Sequence, residues 1–326
     1  MSSPSLRRIV GAAVALALSG FPARAEPADL YQREIVRFGA FDAADRLAFR
    51  GGLVLRGPKA FGGLSGLLVN DARFLAATDT GHFVTGRMVL DGKRLTGVDD
   101  VSITARRDLA GEAITSKAPA DAEALAQLDG KVVVLVEQAG QLLSYAADGL
   151  AVVDAAPDAM PVPAPVRKAG RRGLESLASL PDGSLIVIAE KGARGADTIP
   201  AFHLPSGKAF AIRAHGDFAI TGADALPGGD LMLVERRYGG GIDVGMQVRR
   251  IGADAVAREG VADGPVLLKA GFSAEIDNME AIAARVDDGE IILTLASDDN
   301  HKFYQRSLLL RFAVADPLPR PNPRRG

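Results

Sequence analysis

The 326-residue sequence predicts an all-β fold, a β-propeller of five four-stranded blades, with six blades as the alternative. One sequence plan recurs five times, its apolar runs are short and rich in Val, Ile and Leu, and turns rich in Gly and Asp bound those runs. The repeats recur roughly every 54 residues, which is typical of propeller blades rather than of helical solenoids. The five segments begin at Leu64, Ala122, Leu174, Gly222 and Met279.

Further predicted strands complete each repeat. They are REIVRFGAF, RLAFRGGLVL, HFVTGRMVLDGKRLTGV, QLLSYAADGLAVV, KAFAIRA, EIILTLA and SLLLRFAV. The last repeat is short of strands, whereas two of these runs precede the first repeat. We therefore expect the N-terminal strands to complete the last blade and to close the ring. The proline-rich stretch 156–172 lies within one repeat and is predicted to be a loop.

Both chain ends are predicted to lie outside the single propeller domain, which spans residues 26–315. Residues 1–25 combine two adjacent arginines, a twelve-residue apolar run and an Ala-Arg-Ala end, as a signal peptide does. We therefore expect a periplasmic or secreted protein, exported by the Sec route, with the twin-arginine route as the alternative. Residues 316–326 are rich in Pro and Arg and are expected to form a disordered tail.

Composition excludes several classes of function. The chain has no Cys, which excludes disulfides, Cys-ligated zinc, iron–sulfur clusters and a catalytic thiol. Its formal net charge of −2 provides no overall positive field for nucleic acid. After the first segment, no apolar run reaches the roughly 18 residues of a membrane span. We therefore expect a small-molecule substrate or ligand, and neither nucleic acid nor, after signal cleavage, a membrane as a partner.

An acid recurs near the start of four repeats, at Glu123, Glu175, Asp224 and Glu280, with Ser65 at the matching place in the first. In a propeller, equivalent positions of the innermost strands form a ring around the central channel. Facing carboxylates repel one another unless they are protonated or bound to a cation. Oxygen ligands favour Ca²⁺, with Mg²⁺ second, so these four acids are the predicted metal ligands. The alternative is that they end strands or pair with arginines.

A second acid recurs directly after the apolar strand of each repeat. These acids are Asp79, Glu137, Glu190, Glu235 and, one position away, Asp298. His82 and His301 follow two of them and are candidates for general acid–base catalysis. Acids that position water, beside arginines that neutralise an oxyanion, are what ester hydrolysis requires. The predicted catalytic residues are Asp79, His82, Glu190, Arg236, Arg237 and Asp298. The alternative role for the acids is in salt bridges between blades.

Several stretches together resemble one known family. They are FGGLSGL, DTGH, DAEAL, GLESLASLPDG, TGADALPGGDLMLVERR, DNMEAIA and SDDNHKFYQRSLLLRF, and they run in the family's order. The chain is similar to the exported phytase-like family, also described as "esterase-like activity of phytase". The resemblance implies an exported propeller-like domain that hydrolyses phosphate or carboxylate esters.

Two functions follow from these observations. The first is an exported, calcium-dependent hydrolase of small phosphate or carboxylate esters. The second is a non-catalytic periplasmic propeller that binds a small ligand or a partner protein, with any metal only holding the blades together. The second is motivated by the scarcity of His and by Ser65, whose GLSGL context lacks the second glycine of the G-x-S-x-G motif. Sugar or lactone chemistry is a third, weaker hypothesis.

Overall fold

The computed structural model describes residues 26–39, 46–136, 141–170, 173–240 and 243–315. The predicted signal peptide and the predicted C-terminal tail lie outside these described residues. In the described part of the chain, the strands form five sheets arranged as the blades of a β-propeller. No described helix is long and apolar enough to cross a membrane.

The described chain up to residue 170 forms twelve strands and two helices. The strands are β1 (Glu26–Pro27), β2 (Tyr31–Ile35), β3 (Leu47–Arg56), β4 (Leu64–Asn70), β5 (Arg73–Thr78), β6 (His82–Asp91), β7 (Arg94–Ala105), β8 (Ala122–Leu128), β9 (Lys131–Val136), β10 (Gln141–Asp148), β11 (Ala151–Val152) and β12 (Asp158–Met160). The helices are α1 (Lys117–Ala120) and α2 (Ala164–Gly170).

The described chain from residue 173 forms the other twelve strands and one helix. The strands are β13 (Leu174–Ser179), β14 (Leu185–Ala189), β15 (Thr198–Leu204), β16 (Ala209–Arg213), β17 (Ala219–Ala225), β18 (Leu231–Gly240), β19 (Asp243–Ile251), β20 (Val261–Ala262), β21 (Val266–Gly271), β22 (Asn278–Asp287), β23 (Glu290–Asp298) and β24 (Ser307–Val314). The helix is α3 (Ala253–Ala257).

Each blade begins at the channel with one of the strands β4, β8, β13, β17 and β22. From the channel outward, the strand orders are β4-β5-β6-β7-β1, β8-β9-β10-β11, β13-β14-β15-β16-β20, β17-β18-β19-β21 and β22-β23-β24-β3-β2. Strand β12 also pairs with β10 in the second blade. The five innermost strands contact one another in a closed ring, in which β22 meets β4. The prediction of five blades is confirmed.

The two chain ends share the fifth blade, as the sequence predicted. Strand β3 pairs antiparallel with β24, and β2 adds to the outer edge of β3. Strand β3 therefore lies between the C-terminal strand β24 and the N-terminal strand β2. The ladder of backbone hydrogen bonds between β3 and β24 closes the ring. The ring cannot open without breaking that ladder.

The core lies between neighbouring blades. Val133 and Leu135 of the second blade belong to one buried apolar cluster with Ile186 and Ile188 of the third. Strand β14 is buried along its whole length, and β5, β9 and β23 are buried except at their first residue, which explains their continuous apolar sequences. These packed layers hold the strand ends rigidly around the channel.

The proline-rich stretch 156–172 is only in part the loop that the sequence predicted. It contains the short strand β12 and the helix α2, which together connect the second blade to the third. Pro165 lies in the first turn of α2, where a helix tolerates proline because those backbone N–H groups have no partner inside the helix. A proline-rich segment is typical of a loop, which is why the sequence pattern does not indicate this helix.

Candidate functional site at the channel mouth

Every innermost strand has one bulge near its start, where its pairing with the second strand shifts by one residue. The bulge lies at Ser65 in the first blade and at Glu123 and Glu175 in the next two. It lies at Thr221 in the fourth blade and at Glu280 in the fifth. Because a bulge leaves one extra residue outside the ladder, these five residues occupy equivalent positions around the channel.

The sequence alignment that placed Asp224 in this ring is wrong. Thr221 lies at the bulge of the fourth blade, three positions earlier. The Asp224 carboxylate accepts hydrogen bonds from the backbone N–H of Ala225 and, in the fifth blade, of Ala284, both at 2.8 Å. Its burial raises the pKa of Asp224 to about 7. Asp224 therefore joins the fourth blade to the fifth and does not belong to the ring of bulge residues.

In the sequence, the five equivalent bulge positions can be identified by the residue that follows each of them. It is small in every blade: Gly66, Ala124, Ser176, Gly222 and Ala281. A Cβ on Gly66 would lie 2.8 Å from the backbone nitrogen of Leu125. A Cβ on Gly222 would lie 2.9 Å from the carbonyl oxygen of Glu280. At these two positions, the neighbouring innermost strand leaves no room for a side chain.

A second set of equivalent positions lies where the second strand of each blade ends. Strand pairing aligns Thr78, Ala189, Glu235 and Ser297 with the starts of the innermost strands. The residues that follow them, which we call the rim residues, are Asp79, Glu190, Arg236 and Asp298. The predicted Glu137 lies outside the described residues. Placing Glu235 in this set was wrong by one residue, so the fourth blade has Arg236 where the described others have an acid.

Glu235 belongs instead to a buried ion-pair network inside the fourth blade. Its carboxylate accepts hydrogen bonds from Arg249 and Gln247, and the side chains of Glu235 and Arg249 are fully buried. Arg249 also donates to Asp263 at 3.0 Å. Because each buried charge has a partner, the network joins β18 to β19 without leaving a buried charge uncompensated.

Arg236 lies at the centre of the mouth cluster, which we define as Glu190, Arg236, Asn278, Glu280 and Asp298. Its Nη2 lies 3.3 Å from Glu280 Oε1 and 3.8 Å from Glu190 Oε1, while its Nη1 donates to Asn278 Oδ1. Asn278 Nδ2 donates to Glu280 Oε1 at 2.8 Å and lies 3.5 Å from Asp298 Oδ2. One guanidinium and one amide therefore connect carboxyl groups of the third and fifth blades.

Burial sets the protonation of two carboxyl groups in the mouth cluster. It raises the pKa of Glu280 to about 8, with Arg236 lowering that pKa and the surrounding acids raising it. Burial also raises the pKa of Asp298 to about 6, although the backbone N–H of Asn300 favours the ionised form. At pH 7, Glu280 is therefore mostly protonated while Asp298 is mostly ionised.

The rim residue of the first blade contacts the fifth blade through a histidine. His301 Nε2 lies 3.3 Å from Asp79 Oδ1, and burial raises the pKa of Asp79 against the effect of His301. Beside this pair, the Asp299 carboxylate accepts hydrogen bonds from the Gly63 N–H (3.2 Å) and from Ser307 Oγ (2.8 Å). These contacts tie the loop after β23 to the start of the first blade.

Two other predicted catalytic residues lie outside the mouth cluster. His82 Nδ1 lies 3.3 Å from the Thr80 hydroxyl, and burial together with the charge of Arg106 lowers the pKa of His82. Arg237 forms an ion pair with Asp243 at 2.7 Å. Of the two candidate histidines, His301 is therefore the one that the structure brings to a rim acid.

Two cavities lie on either side of Arg236. One, of about 480 Å³, is lined by Glu190 and Lys191 among other residues. The other, of about 540 Å³, is lined by Arg236, Asn278 and Lys302 among others, and we call it the mouth cavity. Both volumes fall within the roughly 300–1,000 Å³ of small-molecule sites. The mouth cavity gives a small ligand direct access to the guanidinium and the amide of the mouth cluster.

The family model described as "Phytase-like: Esterase-like activity of phytase" matches residues 59–301, more than half of the chain. The chain belongs to the phytase-like family. The matched region includes the whole mouth cluster and all five bulges. Family and propeller fold together support a hydrolase-like propeller. No curated protein sequence matches this phytase-like chain.

Several solved structures resemble this phytase-like chain in fold. The alpha-L-arabinofuranosidase of Podospora anserina, in complex with cellotriose, is 13% identical at a TM-score of 0.46, over 81% of this chain and 95% of that one. The glutaminyl cyclase of Myxococcus xanthus is 14% identical at 0.40, over 89% and 100%. The PQQ-bound aldose sugar dehydrogenase of Streptomyces coelicolor is 12% identical at 0.41, over 88% and 99%. At these values the likeness extends to neither ligand nor reaction.

The donor geometry bears on the predicted calcium site. Among the residues that the structure describes, no three His, Asp or Glu side chains are placed to hold one metal ion together. In the mouth cluster, the positive charge facing the carboxyl groups comes from Arg236. The calcium prediction for this phytase-like chain therefore stays a prediction.

Proposed function

We propose that this phytase-like propeller hydrolyses phosphate or carboxylate esters of small molecules at the mouth cluster. The observation that carries the proposal is the position of Arg236, which contacts Glu280 and Asn278 and also lines the mouth cavity. A guanidinium binds phosphate and carboxylate oxygens in a fixed planar geometry. An anionic ester in the cavity would meet this cation, which contacts Glu280, and the Asn278 amide, which lies 3.5 Å from Asp298 Oδ2.

The two carboxyl groups suit the two proton transfers of ester hydrolysis. Asp298, ionised at pH 7, accepts a proton from water as the water oxygen bonds to phosphorus or to the carbonyl carbon. Glu280, protonated at the same pH, donates its proton to the ester oxygen as the bond from that oxygen to phosphorus or carbon breaks. The free acid and the alcohol leave, and exchange with water returns the proton from Asp298 to Glu280.

Arg236 is suited to stabilise the oxygen that gains negative charge during this reaction. Its side chain is already held by Glu190, Asn278 and Glu280, so little reorganisation is needed when charge develops. Glu190 would thus act as a positioning residue for the guanidinium. The electrostatic contribution of one such donor is typically a factor of about 100 to 1,000 in kcat.

A substrate panel with the purified chain tests the proposal. The panel contains 4-nitrophenyl phosphate, bis(4-nitrophenyl) phosphate and 4-nitrophenyl acetate, and the release of 4-nitrophenol is measured from pH 5 to 9. We expect kcat/KM to rise through about pH 6 and to fall above about pH 8, since Asp298 must be ionised and Glu280 protonated. Glu280→Gln and Asp298→Asn should each lower kcat about 100-fold or more.

Glu290→Gln is the matched control. Glu290 lies in the same blade at the opposite end of β23, where it pairs with Arg50 and Lys93. Its substitution should leave turnover unchanged. Absence of turnover on every ester, or turnover that survives both mouth-cluster substitutions, would overturn the proposal. Ligand binding without turnover would favour the non-catalytic binding propeller instead.

We also propose that the protein is exported to the periplasm or secreted, on the basis of the signal-peptide pattern in residues 1–25. Cleavage after Ala25 is expected when the chain is expressed in a Gram-negative host. The mass of the protein recovered from the periplasmic fraction measures this directly. Full-length protein retained in the cytoplasm would contradict it.

A further inference from the structure

The mouth cavity is lined by residues of two kinds, basic and aromatic. The end of β18 supplies Arg236, Arg237 and Tyr238, β19 supplies Val244, β22 begins with Asn278, and the segments before β22 and after β23 supply the rest of the lining. The cavity shares Arg236 and Asn278 with the mouth cluster. A ligand in this cavity is therefore in contact with Arg236, the cation of the proposed reaction.

Part of the lining of the mouth cavity is basic. It carries Arg236, Arg237, Lys302 and Arg306. Arg237 and Arg306 are paired with acids, at 2.7 Å from Asp243 in the first case. Lys302 Nζ lies 6.0 Å from the centre of the Tyr304 ring. These residues favour the anionic part of a ligand, because four cations and one acid, Asp277, line the cavity.

Another part of the lining is aromatic and apolar. Tyr238, Phe272 and Tyr304 line the cavity with 71%, 65% and 65% of their surfaces exposed. The described residues have two further exposed aromatic side chains, Phe303 and Tyr31. Phe303 is next to Tyr304, whereas Tyr31 lies on β2. Large aromatic side chains grouped in the open at a cavity mark a binding surface, because leaving them in water forgoes the free energy of burial.

We propose that the mouth cavity binds an organic anion with an aromatic ring, with the anionic group against the basic residues and the ring against Tyr238, Phe272 and Tyr304. The binding of such an anion does not depend on the proposed function. Only its identification as the substrate ester rests on the proposed function. It narrows the substrate class to aryl-bearing esters. The volume of about 540 Å³ accommodates one substituted ring and its anionic group.

Binding of phosphonates tests this inference apart from catalysis, because a phosphonate carries no ester bond. Isothermal titration calorimetry compares phenylphosphonate with methylphosphonate, and a second arm compares benzoate with acetate to distinguish phosphorus from carboxyl head groups. The ring should tighten binding about tenfold or more in at least one arm, as a well-filled apolar contact does. Equal affinity with and without the ring in both arms, or no binding at all, overturns the inference even if esters are hydrolysed.

Variants locate the ring. Tyr304→Ala and Phe272→Ala should each remove most of the preference for the ring, while Tyr304→Phe retains it. Tyr31→Ala is the matched control, since Tyr31 is 61% exposed and lies on β2, outside the cavity. Lys302→Gln should weaken the phenyl and methyl ligands by the same factor. A ring preference that survives both alanine substitutions, in variants whose melting temperatures match the wild type, overturns the inference.

Discussion

The fourth blade and the blades around it share one backbone plan and differ in the residues at the channel mouth. Every innermost strand has its bulge at the same place. The second, third and fifth blades have glutamate at the bulge, whereas the fourth has Thr221. At the rim, the fourth blade has Arg236 where the other described rim residues are acids.

This difference shows how a repeated fold acquires a site. Repetition brings several carboxyl groups to one axis, where they repel one another and where burial raises the pKa of Glu280 and Asp298. Arg236, the exception to the repeat, supplies the compensating cation. The position that breaks the pattern is therefore the one on which the chemistry of the mouth cluster depends.

The largest effect is expected from the buried pair under the rim of the fourth blade. Arg249→Met should lower the free energy of unfolding by about 3–5 kcal/mol, because it leaves Glu235 charged and buried without its partner. Urea denaturation measures the change. Arg258→Met is the control, since Arg258 forms an exposed pair with Asp254 and such pairs contribute about 0–1 kcal/mol. Equal losses in the two variants would contradict the role assigned to the buried pair.

The next effect is on turnover. Arg236→Gln should lower kcat/KM by about 100- to 1,000-fold, which corresponds to about 3–4 kcal/mol of transition-state stabilisation. Arg236→Lys should recover part of that loss, because it keeps the charge but not the planar contacts with Asn278 and Glu280. Melting temperatures close to the wild type would assign the loss to chemistry. Full activity in Arg236→Gln would show that Arg236 of the fourth blade takes no part in the proposed reaction.

The fold and its closure were predictable from the sequence, since apolar runs, turns and a constant repeat length are set by local chemistry. The register of the fourth repeat was not. Its segment ADALPGGD places Asp224 just before the turn, where it attracts an alignment based on acids. The residue at the bulge of the fourth blade is Thr221, which is not an acid, so an alignment based on acids passes over it to Asp224, three residues later.

The mouth cluster could be predicted only in part, for a related reason. Glu190 and Asp298 were recognised as acids at the end of an apolar strand, and Arg236 was recognised as an arginine beside one of these acids, Glu235. Asn278 was missed, since one amide in the sequence gives no sign that it will bridge two carboxyl groups. His301 was recognised as a candidate, but its contact with Asp79 depends on ring closure, which brings residues 222 positions apart together.

A smaller effect is expected on the pH dependence of stability. The pKa of Glu280, raised to about 8 by burial, means that the folded state favours the protonated carboxyl group. Stability should therefore fall as the pH rises from about 4.5 to about 8 and should level off above that range. Glu280→Gln should remove this part of the slope, so that the variant is more stable than the wild type at pH 8 by on the order of 1–2 kcal/mol.

Thermal melts of the wild type and of Glu280→Gln across this pH range measure the difference in their stability. In Glu290→Gln the change in stability relative to the wild type should have the opposite sign. Lys93 lowers the pKa of Glu290, so the contribution of Glu290 to stability is present at neutral pH and is lost on acidification. A parallel pH dependence in the wild type and Glu280→Gln would show that Glu280 is ionised in the folded protein. The proposed proton donor would then be wrong.

The smallest effect is expected from calcium on the wild-type chain, because Arg236 already faces the carboxyl groups at the mouth. Replacing it by glutamine removes the cation beside Glu190, Glu280 and Asp298, so Ca²⁺ should bind the variant more tightly than the wild type. A melt of each protein after EDTA treatment, across a Ca²⁺ titration with Mg²⁺ as control, measures the difference in Ca²⁺ binding. The measurement is sensitive enough because an ion at 100 times its Kd stabilises by about 2.7 kcal/mol.

A saturable shift in melting temperature specific to Ca²⁺ in the wild type would confirm the calcium prediction made from the sequence. A shift that is larger in Arg236→Gln would show that the guanidinium competes with the ion for the same carboxyl groups, whereas equal shifts would place any calcium site away from the fourth blade.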